Sequence, residues 1–161
     1  CSFRKPLVNF SPKANLRLPA SYSSLSEFCE GGFKEIYDDE IASTTPDNIK
    51  KILMCSGKIY FDLVAAREKD GKKDVGVIRL EQLYPLPTKK LDELYLKYNK
   101  AIWFWVQEEP QNMGAASYLK MNLENINFHI ISRKASASTA SGYSKIHAAE
   151  QAAIVDKAFS I

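Results

Sequence analysis

The chain has 161 residues, of which 45% are hydrophobic and 25% charged, with a formal net charge of +3. That length supports one well-cored globular domain. The small charge and the absence of a dense Lys/Arg block argue against a nucleic-acid surface. Cys1, Cys29 and Cys55 are odd in number, widely spaced and without metal-ligand spacing, which fits a reducing compartment. The apolar runs are too short for a membrane span, and nothing reads as a signal peptide.

In chain order, Leu7 to Phe10 reads as a short strand ended by Ser11-Pro12-Lys13. Residues 11 to 48 are irregular, punctuated by Pro12, Pro19, Gly31-Gly32 and Pro46. Ser24 is placed to cap a short helix through Leu25 and Phe28, with Glu27 completing a capping box. Phe33 to Tyr37 is expected as an edge strand before the acidic Asp38-Asp39-Glu40. The division expected is therefore a lead-in segment, 1–48, and the core of the same α/β domain, 49–161.

From residue 49 the pattern becomes regular. Ile49 to Cys55 predicts a strand, and 58 to 69 a helix with Ile59, Leu63 and Ala66 on one face. A strand is predicted over Val75 to Leu80. A helix over 88 to 98 follows, with Leu91, Leu94, Tyr95 and Tyr98 as its apolar stripe. The aromatic strand 101–106, a helix over Ala115 to Leu123 and a strand over Phe128 to Ser132 come next. The last helix, 144 to 159, carries Ala148, Ala152, Val155 and Phe159 at helical spacing. This alternation predicts parallel crossovers and a sheet covered on both faces.

Several motifs stand where chemistry would be sought. Ser56-Gly57-Lys58 lies between a strand and a helix, with Ser56 expected as N-cap and the helix start able to hold an anion. It lacks the upstream glycine and the Ser/Thr of a P-loop. Glu108 and Glu109 follow the aromatic strand at the carboxyl end, where α/β sheets meet ligands. Neighbours on an extended chain point in opposite directions, so the two are poorly suited to sharing a proton. One is expected to cap the next helix and the other to pair at an interface. Arg133-Lys134 precedes a run of small residues, 135–142, expected either as a flexible loop or as a segment ordered against another protein surface. His129 and His147 have no Ser, Cys or ligand companion and read as structural. No catalytic residue and no metal site emerges from the residues alone.

Four stretches carry a resemblance: Met54 to Leu63 (MCSGKIYFDL), Arg79 to Pro87 (RLEQLYPLP), Trp105 to Ala115 (WVQEEPQNMGA) and Arg133 to Ser138 (RKASAS). In this order they resemble the C-terminal domain of the E1 component of 2-oxoglutarate dehydrogenase. Arg4-Lys5-Pro6-Leu7 and Ser11 to Arg17 resemble the segment that enters that domain. Leu18, Met113, Ala116 and Lys134 depart from the family's usual His, Gln, Trp and Pro. The resemblance implies a transketolase C-terminal-like fold, a three-layer sandwich around a mixed, mostly parallel five-stranded sheet.

It also implies a longer homodimeric enzyme that uses thiamin diphosphate and magnesium. That enzyme decarboxylates 2-oxoglutarate and passes the succinyl group to the lipoyl arm of E2, in the tricarboxylic acid cycle. The cofactor's Gly-Asp-Gly signature is absent here, so the cofactor domains are expected upstream, outside this chain. The implied partners are those upstream E1 domains, the second E1 subunit and E2. No nucleic acid or membrane partner is expected, and the location expected is the cytoplasm of a bacterium or the mitochondrial matrix. Acetyl-CoA or AMP is a candidate effector, with Lys13, Arg17, Ser56, Lys58 and Arg79 as the candidate anion-binding residues. Gln107, Glu108, Glu109, Asn112, Arg133 and Ser136 are expected at an interface or structural corner. By itself the chain is expected to be inactive. The rival readings are a freestanding nucleotide- or acetyl-CoA-binding module, and the same domain of another 2-oxo acid dehydrogenase or a transketolase-like enzyme.

Overall fold

The structure, a computed structural model, describes residues 3–6 and 8–160. They fall into two compact units, divided between Gly32 and Phe33.

The first unit has short 3-10 turns at Lys13–Arg17 and Pro19–Ser21 and one helix, α1 (Leu25–Cys29), none of which buries a residue. The capping box expected at α1 is present: the Ser24 side chain accepts from Glu27 N, and the Glu27 carboxylate accepts from Ser24 N at 2.8 Å. The strand expected at Leu7 to Phe10 does not form at Val8–Phe10, and Leu7 lies outside the described residues. Phe10, Leu25 and Phe28 all stand exposed. Without a neighbouring strand to share hydrogen bonds, an apolar run has no reason to stay extended.

The second unit is an α/β sandwich. Its strands are β1 (Ile36–Tyr37), β2 (Lys51–Cys55), β3 (Val75–Leu80), β4 (Ile102–Pro110) and β5 (Phe128–Arg133). They form one sheet in the order β1-β3-β2-β4-β5. β3, β2, β4 and β5 run parallel, and β1 lies antiparallel on the β3 edge. The helices are α2 (Glu40–Thr44), α3 (Ile59–Asp70), α4 (Thr88–Lys97), α5 (Ala116–Asn122) and α6 (Ser144–Ser160). The sheet body thus begins at Phe33 and takes in β1 and α2, which the sequence places in the lead-in segment.

Period-two alternation splits the strand residues between two cores. Ile52, Met54, Ile78, Leu80, Trp103, Trp105 and Phe128 face α4 and α5 through Leu91, Ala116 and Leu119. Leu53, Cys55, Val75, Val77, Phe104, Val106 and Ile131 face α3 and α6 through Ile59, Leu63, Ile154 and Ala158. Three layers result, as the resemblance implies. The α6 stripe differs from the expected one: Ile154 and Ala158 are buried, while Ala148 and Ala152 are exposed. Only the second half of α6 lies on the sheet, so helical spacing in the first half does not mark core.

β4 is longer than the aromatic run predicts. Val106 pairs with Ile131 and Pro110 with Arg133, so β4 spends more residues than β5 over this stretch and bulges. Glu108 and Glu109 therefore lie inside the strand, not in a corner after it. Pro110 sits beyond the irregularity, a position that tolerates its missing N–H.

Candidate functional site at the carboxyl edge of the sheet

β2 leads to β3 on one side and stands beside β4 on the other, so connections diverge between β2 and β4. In parallel α/β sheets the crevice at the carboxyl side of such a point is where ligands sit. The side chains there come from the β2–α3 junction and the β4 bulge.

Gln107 organises the bulge. It is 3% exposed. Its Oε1 accepts from Trp105 Nε1 at 2.8 Å and from Ala116 N at 3.1 Å. Its Nε2 donates to Met113 O at 2.7 Å and Pro110 O at 3.1 Å. Indole and backbone N–H groups only donate and carbonyls only accept, so these partners fix the orientation of the amide. One side chain closes the 110–113 turn and satisfies a backbone N–H at the start of α5. Neither glutamate supplies that contact, contrary to the expectation that one would cap the helix. Gly114, at φ +67, completes the turn; a Cβ there would lie 3.0 Å from Gln107 Oε1.

Glu108 and Glu109 diverge as the strand period requires. Glu108 Oε1 pairs with Lys58 Nζ at 2.7 Å, and Lys58 also reaches Asp62 at 3.3 Å. Asp62 accepts from Gln151 Nε2 at 2.7 Å, which joins α6 to the network. Burial pulls the Lys58 pKa down, but the hydrogen bond and charge of Glu108, with Asp62 adding, lift it above the ordinary lysine value. Glu109 is exposed on the other side and makes no ion pair among the described residues. With Ser56, Gly57, Tyr84, Trp105 and Tyr118 it lines a cavity of about 480 Å³.

Arg133, at the end of β5, holds the small-residue run. Its Nε donates to Glu108 O at 2.6 Å, and its terminal nitrogens donate to Thr139 O at 2.9 Å, Ser141 Oγ at 3.2 Å and Glu150 Oε2 at 3.3 Å. Asn112 exchanges two hydrogen bonds with the Ser136 backbone, at 2.9 and 3.0 Å. The run is thus ordered by its own chain. The Ser141 hydroxyl lowers the Glu150 carboxyl below its ordinary range, burial opposes it more weakly, and Arg133 adds to the lowering.

The other expected residues are placed as follows. Ser56 lines the cavity but does not cap α3; Lys58 occupies the N-cap position, with no side-chain capping bond. Gly57, at φ 75, makes the turn between Ser56 and the helix. Arg79 lies 2.7 Å from Glu81 as a charge pair, without an aligned Nε–H bond. Its guanidinium stacks 4.4 and 4.6 Å from the ring centres of Tyr37 and Tyr60. Lys13 and Arg17 belong to the first unit. Cys55 is buried, and burial pushes its thiol pKa far up, which makes it unreactive. His129 packs its ring 5.4 Å from Phe104.

One polar cluster is not visible in the sequence pattern. Asp39 is 5% exposed. Its Oδ1 accepts from Ile41 N and Ala42 N at 2.9 Å, and its Oδ2 accepts from Val77 N at 2.8 Å and pairs with Arg67 of α3. An Asp before a short helix is an N-cap signal, but nothing local marks the arginine that neutralises it. Across the sheet, Lys51 Nζ donates to Ala158 O at 3.0 Å near the end of α6, and burial draws its pKa down.

The family model for the 2-oxoglutarate dehydrogenase C-terminal region matches residues 22–159. The chain belongs to that family. Among similar proteins is the oxoglutarate dehydrogenase of Buchnera aphidicola subsp. Baizongia pistaciae, 40% identical over 98% of this chain and 18% of the relative. The 2-oxoglutarate dehydrogenase E1 component of Haemophilus influenzae is 39% identical over 98% of this chain and 17% of its own length. A multifunctional 2-oxoglutarate metabolism enzyme of Mycolicibacterium vanbaalenii is 41% identical over 96% of this chain and 13% of its own. The chain therefore spans less than a fifth of each of these relatives. As a 2-oxoglutarate dehydrogenase C-terminal domain it has a carboxyl edge whose Lys58 and Arg79 are both paired with carboxylates. Among its described residues no group of three or more His, Cys, Asp or Glu is placed to hold a metal ion, and no helix is long and apolar enough to cross a membrane.

Proposed function

We propose that this domain serves a thiamin-diphosphate- and magnesium-dependent E1 that decarboxylates 2-oxoglutarate and delivers the succinyl group to a lipoyl-bearing E2. Its own share of the work is assembly: it supports the E1 dimer and frames the approach to a catalytic centre built elsewhere. The identity of about 40% to named 2-oxoglutarate dehydrogenases over nearly the whole chain carries this reading.

Three structural features support the division of labour. The residues present do not suit the cofactor: the sequence has no Gly-Asp-Gly, and Glu109 at the cavity rim would repel a diphosphate. This reading places thiamin diphosphate and its magnesium in other parts of the longer enzyme. Lys58, Asp62, Glu108 and Arg133 are engaged in holding β4, α3, α6 and the 135–142 loop together, which is the work of a scaffold. Large apolar side chains stay uncovered, Tyr143 and Ile146 in the second unit and Phe10 and Phe28 in the first, as expected of surfaces covered in a larger assembly. An effector phosphate at Lys58 or Arg79 would have to displace Glu108, Asp62 or Glu81. Effector binding is therefore the less supported role.

The test compares three proteins: the full-length enzyme, the same enzyme lacking this domain, and the domain alone. The domain alone, given 2-oxoglutarate, thiamin diphosphate and magnesium, should release no carbon dioxide. Its removal from the full enzyme should shift sedimentation toward monomer. Turnover by the isolated domain, or an intact dimer without it, would overturn the proposal.

A further inference from the structure

The cavity between the β2–α3 junction and the β4 bulge has a chemical character that the assembly reading does not use. Its floor is polar but silent. Trp105 Nε1 is taken by Gln107 Oε1, and the rest of the Gln107 amide's hydrogen bonds go to backbone groups. Its walls are aromatic, from Tyr84 and Tyr118. No lysine or arginine lines it; Lys58, next in sequence to Gly57, is turned toward Glu108 and Asp62. The formal charge on its lining is the Glu109 carboxylate, exposed and in no ion pair among the described residues. The start of α3 borders the cavity with a partial positive charge of about half a unit, which one full carboxylate outweighs. The start of α5 has its Ala116 N–H already bound to Gln107.

We infer that this cavity binds a cationic group on an apolar stem, a guanidinium or primary ammonium, with Glu109 pairing the charge and Tyr84 and Tyr118 flanking the stem. Aromatic faces attract cations through their quadrupole, and a carboxylate at the mouth selects a cation over an anion. The site is thus opposite in sign to the anion site that the Ser56-Gly57-Lys58 junction suggests from sequence. Two sources share the required chemistry: a small-molecule amine, and a Lys or Arg side chain from elsewhere in the longer enzyme.

The probe is agmatine, followed by nuclear magnetic resonance at the backbone amides of Gly57, Gly114 and Ala115 in this 161-residue chain. Agmatine should shift these amides saturably, and AMP and butanol should not. Glu109→Gln should weaken agmatine about tenfold or more, with amides away from the cavity unmoved, because the Glu109 side chain makes no hydrogen bond that the fold uses. Glu109→Asp, which keeps the charge, should retain most of the binding. The inference is overturned if AMP saturates the same amides at lower concentration than agmatine, if Glu109→Gln binds unchanged, or if agmatine gives no saturable shift. In the full-length enzyme, agmatine that still binds identifies a small-molecule site. Agmatine that binds the domain but is excluded from the full enzyme shows that another part of that enzyme covers the site, as a Lys or Arg side chain already in place would. Neither result depends on which substrate the enzyme decarboxylates.

Discussion

Two ion pairs of this domain use the same chemistry in opposite settings. Asp39 and Arg67 have side chains only 4% and 8% exposed, while Glu108 and Lys58 are 25% and 30% exposed. The first pair substitutes for backbone. Tyr37 is the last β1 residue to pair with β3, opposite Arg79. Beyond it, the Asp39 carboxylate takes the Val77 N–H that a longer strand would have taken. The second pair ties two elements that are already packed. A buried charge with no water to replace its partner is strongly bound to that partner, whereas a rim charge can be rehydrated.

Breaking the buried pair should have the largest effect. Asp39→Ala or Arg67→Met is expected to cost about 3–5 kcal/mol in urea unfolding, because each leaves an uncompensated buried charge. A loss below 1 kcal/mol would show that water reaches the pair and would erase the contrast. The Gln107 bulge comes next. Gln107→Met should cost about 2–3 kcal/mol by orphaning the Trp105 and Ala116 N–H groups. Gly114→Ala should cost about 1–3 kcal/mol through its left-handed backbone. Near-additive losses in the double variant would show that the glycine and the amide do not act as one unit.

At the rim, Lys58→Met should change stability by less than about 1 kcal/mol, and the effect should shrink with added salt. The smallest effect is pH-dependent. Glu150 has its folded pKa lowered from 4.5. Its contribution is therefore present above the unfolded value and is lost as pH falls through the lowered folded value. Arg133→Ala should flatten that part of the acid-unfolding curve; an unchanged curve would show that Arg133 has no part in the shift.

The sequence made the sheet legible because β2, β3 and β4 are buried on both faces and read as continuous apolar or aromatic runs. The opposite aims of Glu108 and Glu109 were legible for the same reason: strand period alone sets them. Asp39 pairing with Arg67 was not, because the two are joined only by the packing of α3 against the β3 edge. The Gln107 motif was recognised as a corner, but its hydrogen-bonded closure depends on a bulge, and no local pattern announces an irregular register. The strand expected at Leu7 to Phe10 did not form over its described part, Val8 to Phe10, for the converse reason, since local propensity was present and no partner strand was among the described residues.

The 135–142 loop is held mostly through its backbone, by Arg133 at Thr139 O and by Asn112 at Ser136. Such a loop can change its own letters cheaply while its two anchors cannot. Over evolutionary time, substitutions should therefore accumulate at Ala135, Ala137 and Ala140 and be rare at Asn112 and Arg133. A mutational scan of the loop would rank tolerance by distance from those anchors, not by how much side chain each residue shows to solvent.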